Sequence, residues 1–206
     1  MTRRVISLWL PRLGTDRLRR RDSSVSSDRP FALTADSRGR RLLTAVDAAA
    51  EQAGLTPGMP LADARALVPE VVVQADDLAA TAKLLEQLAD WCGRYTPWTA
   101  VDGPDGIWLD TAGCAHLFGG ESAMVADLLT RIAGFGFAVQ ASLAPTPGAA
   151  WALARFAGAT TVVEEKDLRK RMGSLPVAAL RLGTETVASL NRLGLRRVGD
   201  LYALPR

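Results

Sequence analysis

The stretch "YTPWTAVDGPDGIWLDTAG", residues 95–113, holds two short β-prone runs on either side of Gly103-Pro104-Asp105-Gly106. Glycine and proline at the centre, with threonine, valine, isoleucine and tryptophan on the flanks, predict a β-hairpin. Asp102, Asp105 and Asp110 fall within nine positions of one another. Carboxylates gathered at a turn between strands are the raw material of a magnesium site, because that ion takes hard oxygen ligands. Whether this hairpin carries such chemistry or only its outline depends on what the rest of the chain brings to it.

Upstream, "RRVISLWL" (3–10) alternates and predicts a first strand. "RLRRRDSSVSSDR" (17–29) is polar and serine-rich and reads as a mobile loop. "PFALTA" and "RRLLTAV" predict two strands joined by a "DSRG" turn, and "DAAAEQAG" a short helix capped by Asp47 and ended by Gly54. "PLADARALVP" predicts a second short helix and "EVVVQ" a strand. Residues 77–95 predict a long amphipathic helix with Leu78, Ala82, Leu85, Ala89 and Cys92 near one face. Downstream of the hairpin follow a helix ("SAMVADLLTRIAGFG"), a strand ("FAVQASLA"), a helix ("GAAWALARFA") and a strand ("TTVVE"). Strands and helices in this order predict an α+β domain with an antiparallel-rich sheet, into which residues 13–74 are inserted.

The 206 residues are 48% apolar, enough for one substantial core or two small ones. Cys92 and Cys114 make no disulfide framework, which fits a reducing cytoplasm. Cys114-Ala115-His116 has no second metal-binding pair nearby, so a buried thiol and a loop histidine are expected there. No apolar run has the length of a membrane span, and the basic start leads into a strand rather than a signal peptide. The net charge of +3 divides unevenly: +7 over residues 1–41, −10 over 42–165 and +6 over 166–206. Two basic ends around an acidic middle suggest an anionic partner, although ordinary solvated charge gives the same pattern. Arginine outnumbers lysine 22 to 3, which suits bidentate phosphate contacts and equally a GC-rich genome.

The C-terminal segment "LPVAALRLGTETVASLNRLGLRRVGDLYALPR" (175–206) predicts short helices separated at Leu193-Gly194-Leu195, a helix–hairpin–helix. Such a hairpin lets a phosphate approach backbone N–H groups beside a glycine and at the next helix start. Arg196 and Arg197 follow at once, and an earlier Arg181-Leu182-Gly183 turn repeats the arrangement. A plain helical hairpin is the alternative.

Read in order, the chain resembles the N-terminal half of the Y-family translesion DNA polymerases. It is most similar to their ImuB-like, catalytically degenerate branch from bacterial mutasomes. The resemblance rests first on "LLTAVDAAAEQAGLTPGMPLADARALVPE" (42–70), which is similar to the polymerase fingers motif. The opening hairpin is similar to the palm motif, and the segment from 175 to the thumb. It implies a palm over residues 1–12 and 75–165, fingers over 13–74 and the start of a thumb over 166–206.

The resemblance also implies where chemistry has been lost. Two magnesium ions in the active family are held by an Asp-x-Asp pair on the first strand and by carboxylates of the palm hairpin. Here those strand slots hold Trp9 and Pro11, and the hairpin pair becomes Asp105 and Gly106. Asp110 matches a family aspartate that is structural rather than a metal ligand. A Tyr and an Arg that meet the triphosphate correspond to Ala48 and Glu51, and the Asn-Lys of the last palm helix to Ala150 and Trp151. No metal, nucleotide or other cofactor is therefore expected. The resemblance implies a non-catalytic adaptor in SOS-induced, error-prone translesion synthesis, linking the sliding clamp, an ImuA-type partner and an error-prone replicative-type polymerase. Clamp-binding and partner-recruiting motifs lie beyond the polymerase-like region in that branch, so an N-terminal fragment is expected. DNA contact is expected at Arg38, Arg40, Arg41, Gly183, Gly194, Arg196 and Arg197, independent of sequence and without a membrane. Two alternatives stand beside this: an active polymerase using Asp102 with Asp105, and a stand-alone helix–hairpin–helix DNA-binding protein.

Overall fold

The computed structural model describes residues 3–21, 29–37 and 39–204. The order is β1 (Val5–Trp9), α1 (Leu13–Arg21), β2 (Phe31–Ser37), β3 (Arg40–Val46), α2 (Ala48–Gln52), α3 (Leu61–Leu67), β4 (Val72–Ala75) and α4 (Leu78–Cys92). Then come β5 (Thr99–Asp102), β6 (Gly106–Asp110), α5 (Glu121–Gly134), β7 (Gln140–Ala144), α6 (Pro147–Phe156), β8 (Thr161–Val162), α7 (Glu165–Gly173) and α8 (Thr184–Arg192). Short 3₁₀ turns occupy Ala115–Phe118, Val177–Leu180 and Val198–Ala203. The class is α+β.

The chain forms two compact units. The first comprises Met1–Trp9, Glu86–Arg131 and Val139–Arg206. Its five-stranded sheet runs β5-β6-β1-β7-β8, antiparallel except for the β7–β8 pair. β1 lies between β6 and β7, with Leu8 opposite both Ile107 and Ala141. Both faces of β1 are buried, Ile6 and Leu8 on one side and Val5 and Ser7 on the other. Helix α6 begins at Thr146, whose side chain caps the Ala149 N–H, with Pro147 in the first turn where its missing donor does no harm. Its alanine-rich face (Ala149, Ala150, Ala152, Leu153) packs in one apolar cluster with Ala144, Leu175, Ala179 and Val198. The C-terminal helical segment thus shares a core with β7 and α6.

The second unit comprises Leu10–Leu85 and Ile132–Ala138. Its three strands run β3-β2-β4, with β2 antiparallel to β3 and parallel to β4. Ala32, Leu43, Val46, Ala50, Leu55, Leu61, Ala64, Val68 and Val71 form its core. Helix α2 ends at Gly54, whose φ of +89° is the left-handed conformation that glycine takes without strain.

Three expectations change. Residues 17–21 are the end of α1 rather than a loop, while residues 22–28 lie outside the described residues. Arginine is a good helix former, and this helix is held on several sides. Leu13 and Thr15 are buried, Asp16 accepts the Ala138 N–H at 2.8 Å, and the Arg20 guanidinium lies 4.4 Å from the Phe137 ring centre. Burial raises the Asp16 carboxyl above its usual range, against that hydrogen bond and the nearby Arg12 and Arg19. In α4, burial starts only at Leu85, with Leu88, Ala89 and Cys92; Leu78 and Ala82 are exposed because their turns have no apolar cover. After Gly194 comes a 3₁₀ turn instead of an α-helix, its start closed by Asp200, which accepts the Arg197 N–H at 2.8 Å. Of the two thiols, Cys92 is fully buried, which pushes it up to about 12, whereas Cys114 is half-buried. No described helix is long and apolar enough to cross a membrane.

Asp47 joins the second unit together. It is 1% exposed, caps α2 by accepting the Ala50 N–H at 2.7 Å, accepts the Phe31 N–H at 3.1 Å, and pairs with Arg19. Asp47→Ala removes a cap and leaves buried donors without that acceptor, so a loss of about 3 kcal/mol is expected, and Asp47→Asn about half of it. Urea denaturation checks this; a loss below about 1 kcal/mol for Asp47→Ala would show that the cap alone matters.

Candidate functional site

The hairpin β5–β6 and the helix α6 meet at a compact charged cluster in the first unit. Trp9 is the last residue of β1 and stands opposite Gly106 in the β1–β6 register. Asp102 stands opposite Gly106 on the other side, in the β5–β6 register. Trp151 and Arg155 are four residues apart on α6 and so share a face. Arg181 follows the 3₁₀ turn Val177–Leu180.

These side chains satisfy one another. The Trp9 Nε1–H donates to Asp105 Oδ2 at 2.8 Å, and Arg155 Nη2 donates to Asp105 Oδ1 at 3.0 Å. Arg155 Nη2 also lies 3.9 Å from Asp102 Oδ2, and Arg155 Nη1 donates to Ser7 Oγ at 3.5 Å. Arg181 Nη2 donates to Asp102 Oδ1 at 3.0 Å. Both guanidiniums rest on Trp151, each 4.7 Å from its ring centre, a cation–π arrangement. Side chains of Arg155 and Asp102 are each only 9% exposed. Burial pulls Arg155 below its usual value while Asp105 and Asp102 pull it back, and guanidinium stays charged. Two carboxylates thus meet two guanidiniums, and the cluster is neutral.

That arrangement does not fit a magnesium pair. Asp105 has both oxygens engaged, one by an indole and one by a guanidinium, and Asp102 faces two fixed cations. A divalent ion would have to displace guanidiniums already hydrogen-bonded to these carboxylates, of which Asp102 is buried. Among the described residues no three His, Cys, Asp or Glu side chains gather as a metal set. Gly106 belongs to the same arrangement. A Cβ there would stand 2.8 Å from the Asp102 carbonyl oxygen and 2.9 Å from Arg155 Nη2, so the guanidinium occupies space that any side chain would need.

The second unit repeats the pattern on a smaller scale. Ala48 opens α2 and offers no donor, while Glu51 is paired with Arg12 at 2.8 Å on the exposed side. Pro11 precedes α1 in the turn that begins this unit. Arg40 and Arg41 start β3 and are exposed, with Arg41 Nε 3.5 Å from Asp36 Oδ1; Arg38 lies outside the described residues.

In the C-terminal segment, Gly183 is the N-cap of α8 and brings no capping side chain, so the first N–H groups of that helix are open. Gly194 has φ +83° and its N–H bonds to the Asn191 carbonyl. The Arg196 and Arg197 N–H groups both donate to Asp200 Oδ2, at 2.9 and 2.8 Å. Backbone donors from Leu195 to Val198 are therefore used internally, while the side chains of Arg196 and Arg197 are exposed.

Sequence reasoning singled out Trp9, Asp105, Gly106 and Trp151, and the structure brings all four together. It missed Arg155 and the pairing of Arg181 with Asp102. The i, i+4 spacing of Trp151 and Arg155 was a local signal; the Asp102–Arg181 pair, 79 residues apart, left none.

The profile of the impB/mucB/samB family matches residues 16–155, and the chain belongs to that family. It is 50% identical over 153 residues to Protein ImuB of Caulobacter vibrioides, covering 74% of this chain and 33% of that protein. It is 28% identical over 193 residues to DNA polymerase IV of the same organism, covering 89% of this chain and 46% of the polymerase. The chain thus spans a third to about half the length of these curated relatives. Among solved structures, DinB from Sulfolobus solfataricus matches with a TM-score of 0.79 and the post-insertion binary complex of Dbh DNA polymerase with 0.82. Each covers 98% of this chain and 60% of the other at 14% identity, and each shows the shared Y-family polymerase fold.

Gly106→Ala is expected to destabilise the first unit by about 2 kcal/mol through overpacking, and Gly106→Glu by more, since its chain must displace Arg155. Thermal unfolding checks this. A Gly106→Glu protein as stable as the parent would mean that the cleft has room for the carboxylate after all.

Proposed function

We propose that this chain is the polymerase-like part of a non-catalytic adaptor for error-prone translesion synthesis in DNA-damaged cells. One observation carries the reading: the hairpin carboxylates Asp102 and Asp105 are held by Arg155, Arg181 and Trp9. Residues 1–12 and 75–165 serve as palm, 13–74 as fingers and 166–206 as the first part of a thumb. The 50% identity to Protein ImuB supports an adaptor role, in which the full protein links the sliding clamp, an ImuA-type partner and an error-prone polymerase in the cytoplasm during the SOS response. The similarity to DNA polymerase IV supports the second reading, an active polymerase. That reading needs a cation to enter where the guanidiniums stand.

Primer extension with magnesium or manganese separates the two. The expected result is no template-dependent addition above a no-protein control, for the parent and for Trp9→Asp alike. A single restored carboxylate leaves Gly106, Ala48 and Glu51 unchanged, and a two-metal site needs several ligands at once. Extension by the parent protein that Asp105→Ala abolishes would overturn the adaptor reading.

DNA binding is proposed to be electrostatic, through Arg38, Arg40 and Arg41 in the fingers and Arg196 and Arg197 near Gly194, with Gly183 opening the start of α8. Phosphate neutralisation releases counterions, so affinity falls with salt by a log–log slope of roughly −0.9 per phosphate on duplex DNA. Changing Arg196 and Arg197 together to alanine should flatten that slope by about two units and weaken all sequences alike. Fluorescence anisotropy across a salt series reads it. A slope that ignores the two substitutions would remove these arginines from the interface.

A further inference from the structure

Arg181 is the only described residue other than glycine with a positive φ, at +57°. A left-handed backbone is uncommon for a residue with a Cβ, and it persists where the surroundings hold it. Here Arg181 is the left-handed C-cap of the 3₁₀ turn Val177–Leu180, its N–H bonded to the Ala178 carbonyl at 3.3 Å, and its side chain is held as well. Arg181 Nη2 lies 3.0 Å from Asp102 Oδ1, and its guanidinium carbon lies 4.7 Å from the Trp151 ring centre. Asp102 has no second donor within hydrogen-bond distance, since its Oδ2 has only Arg155 at 3.9 Å. The carboxylate is buried and the arginine is 48% exposed, so the two ends of the contact are unequal. Asp102 depends on Arg181, whereas Arg181 could turn to water.

Two residues beyond Arg181 lies Gly183, where α8 begins. Arg181 therefore stands directly before the chain's entry into α8, in a segment whose Leu175, Ala179 and Val198 are buried with α6. We propose that Asp102, Arg181 and Trp151 form a clasp that ties the turn entering α8 to the β5–β6 hairpin, so that Asp102 and Arg181 are positioning residues for the C-terminal helical segment. The hairpin carboxylate then has a structural task in place of metal binding. This gives the adaptor reading a mechanism for orienting its basic C-terminal surface. The clasp itself involves neither nucleotide nor DNA and is tested without either.

The backbone supplies a sign that distinguishes the clasp from an incidental contact. Arg181→Gly relieves the positive φ, so with no clasp the variant should be neutral or more stable. With the clasp, it strands a buried carboxylate and loosens α8. Asp102→Asn is nearly isosteric and keeps the arginine, but removes the charge that holds it. The test is amide hydrogen exchange of the whole protein in metal-free buffer, comparing the parent, Arg181→Gly, Asp102→Asn and the double variant. Exchange over residues 183–195 should rise about tenfold in each single variant, and the double variant should be no faster than the faster single one. Strands β2 and β3 should exchange as in the parent. Exchange over 183–195 that stays as slow as in the parent in Arg181→Gly, or single effects that add in the double variant, would overturn the clasp. Should Arg181→Gly fail to fold, Asp102→Asn decides alone: faster exchange confined to 183–195 supports the clasp, and unchanged exchange there overturns it. Primer extension by the parent protein would overturn the adaptor reading and leave the exchange result standing.

Discussion

A carboxylate with little access to water must have a cation or donors brought to it, and this requirement organises the first unit. Asp102 and Asp105 flank a tight turn at the edge of the sheet, where β1 ends in Trp9. In a two-metal enzyme, cations from solvent meet such a pair and leave with product. Here the chain supplies them covalently, from α6 and from the turn before α8, so neutralisation becomes part of folding. That couples Asp105 to α6, 50 residues later, and Asp102 to the turn before α8, 79 residues later. Breaking one partner leaves a buried charge uncompensated, a large penalty even where the intact pair contributes little.

The same requirement explains substitutions that look unrelated along the chain. A tryptophan at the end of β1 cannot ligate a metal, but its indole N–H satisfies Asp105 and its ring lies 5.6 Å from Arg155. A glycine after Asp105 removes a side chain from the space the guanidinium fills. Trp151 provides a flat apolar surface that both guanidiniums share. Each of these residues makes room for, or partners, a guanidinium. Altering any one of them alone disturbs the others, as expected for residues in a single network.

Much of the fold was legible because periodicity and turn chemistry are local. The Gly-Pro-Asp-Gly turn fixed the hairpin, Asp47 and Gly54 bracketed α2, and alternation marked β1. The polar run at 17–21 misled because its helix is held by contacts with Thr81 and Phe137, far along the chain, rather than by an apolar stripe of its own. The site was legible by subtraction only. That the side chains of Trp9, Pro11 and Gly106 offer no metal ligand could be read from residue types, but the partners of Asp102 and Asp105 could not. A guanidinium on α6 and another before α8 reach the hairpin through tertiary packing, and nothing at Arg155 or Arg181 in the sequence names a carboxylate partner.

Internal neutralisation has a consequence for the electrostatics of the site. An active centre must leave its carboxylates under-neutralised until the metal arrives, which stores repulsion and keeps the region only as stable as function allows. A guanidinium relieves that repulsion from within the chain, with directional hydrogen bonds and aromatic stacking that lysine lacks. Asp102 points its one strong hydrogen bond at the segment that precedes α8. The charge that a solvent ion would otherwise bring to Asp102 thus comes from a side chain of the same chain, one that precedes α8.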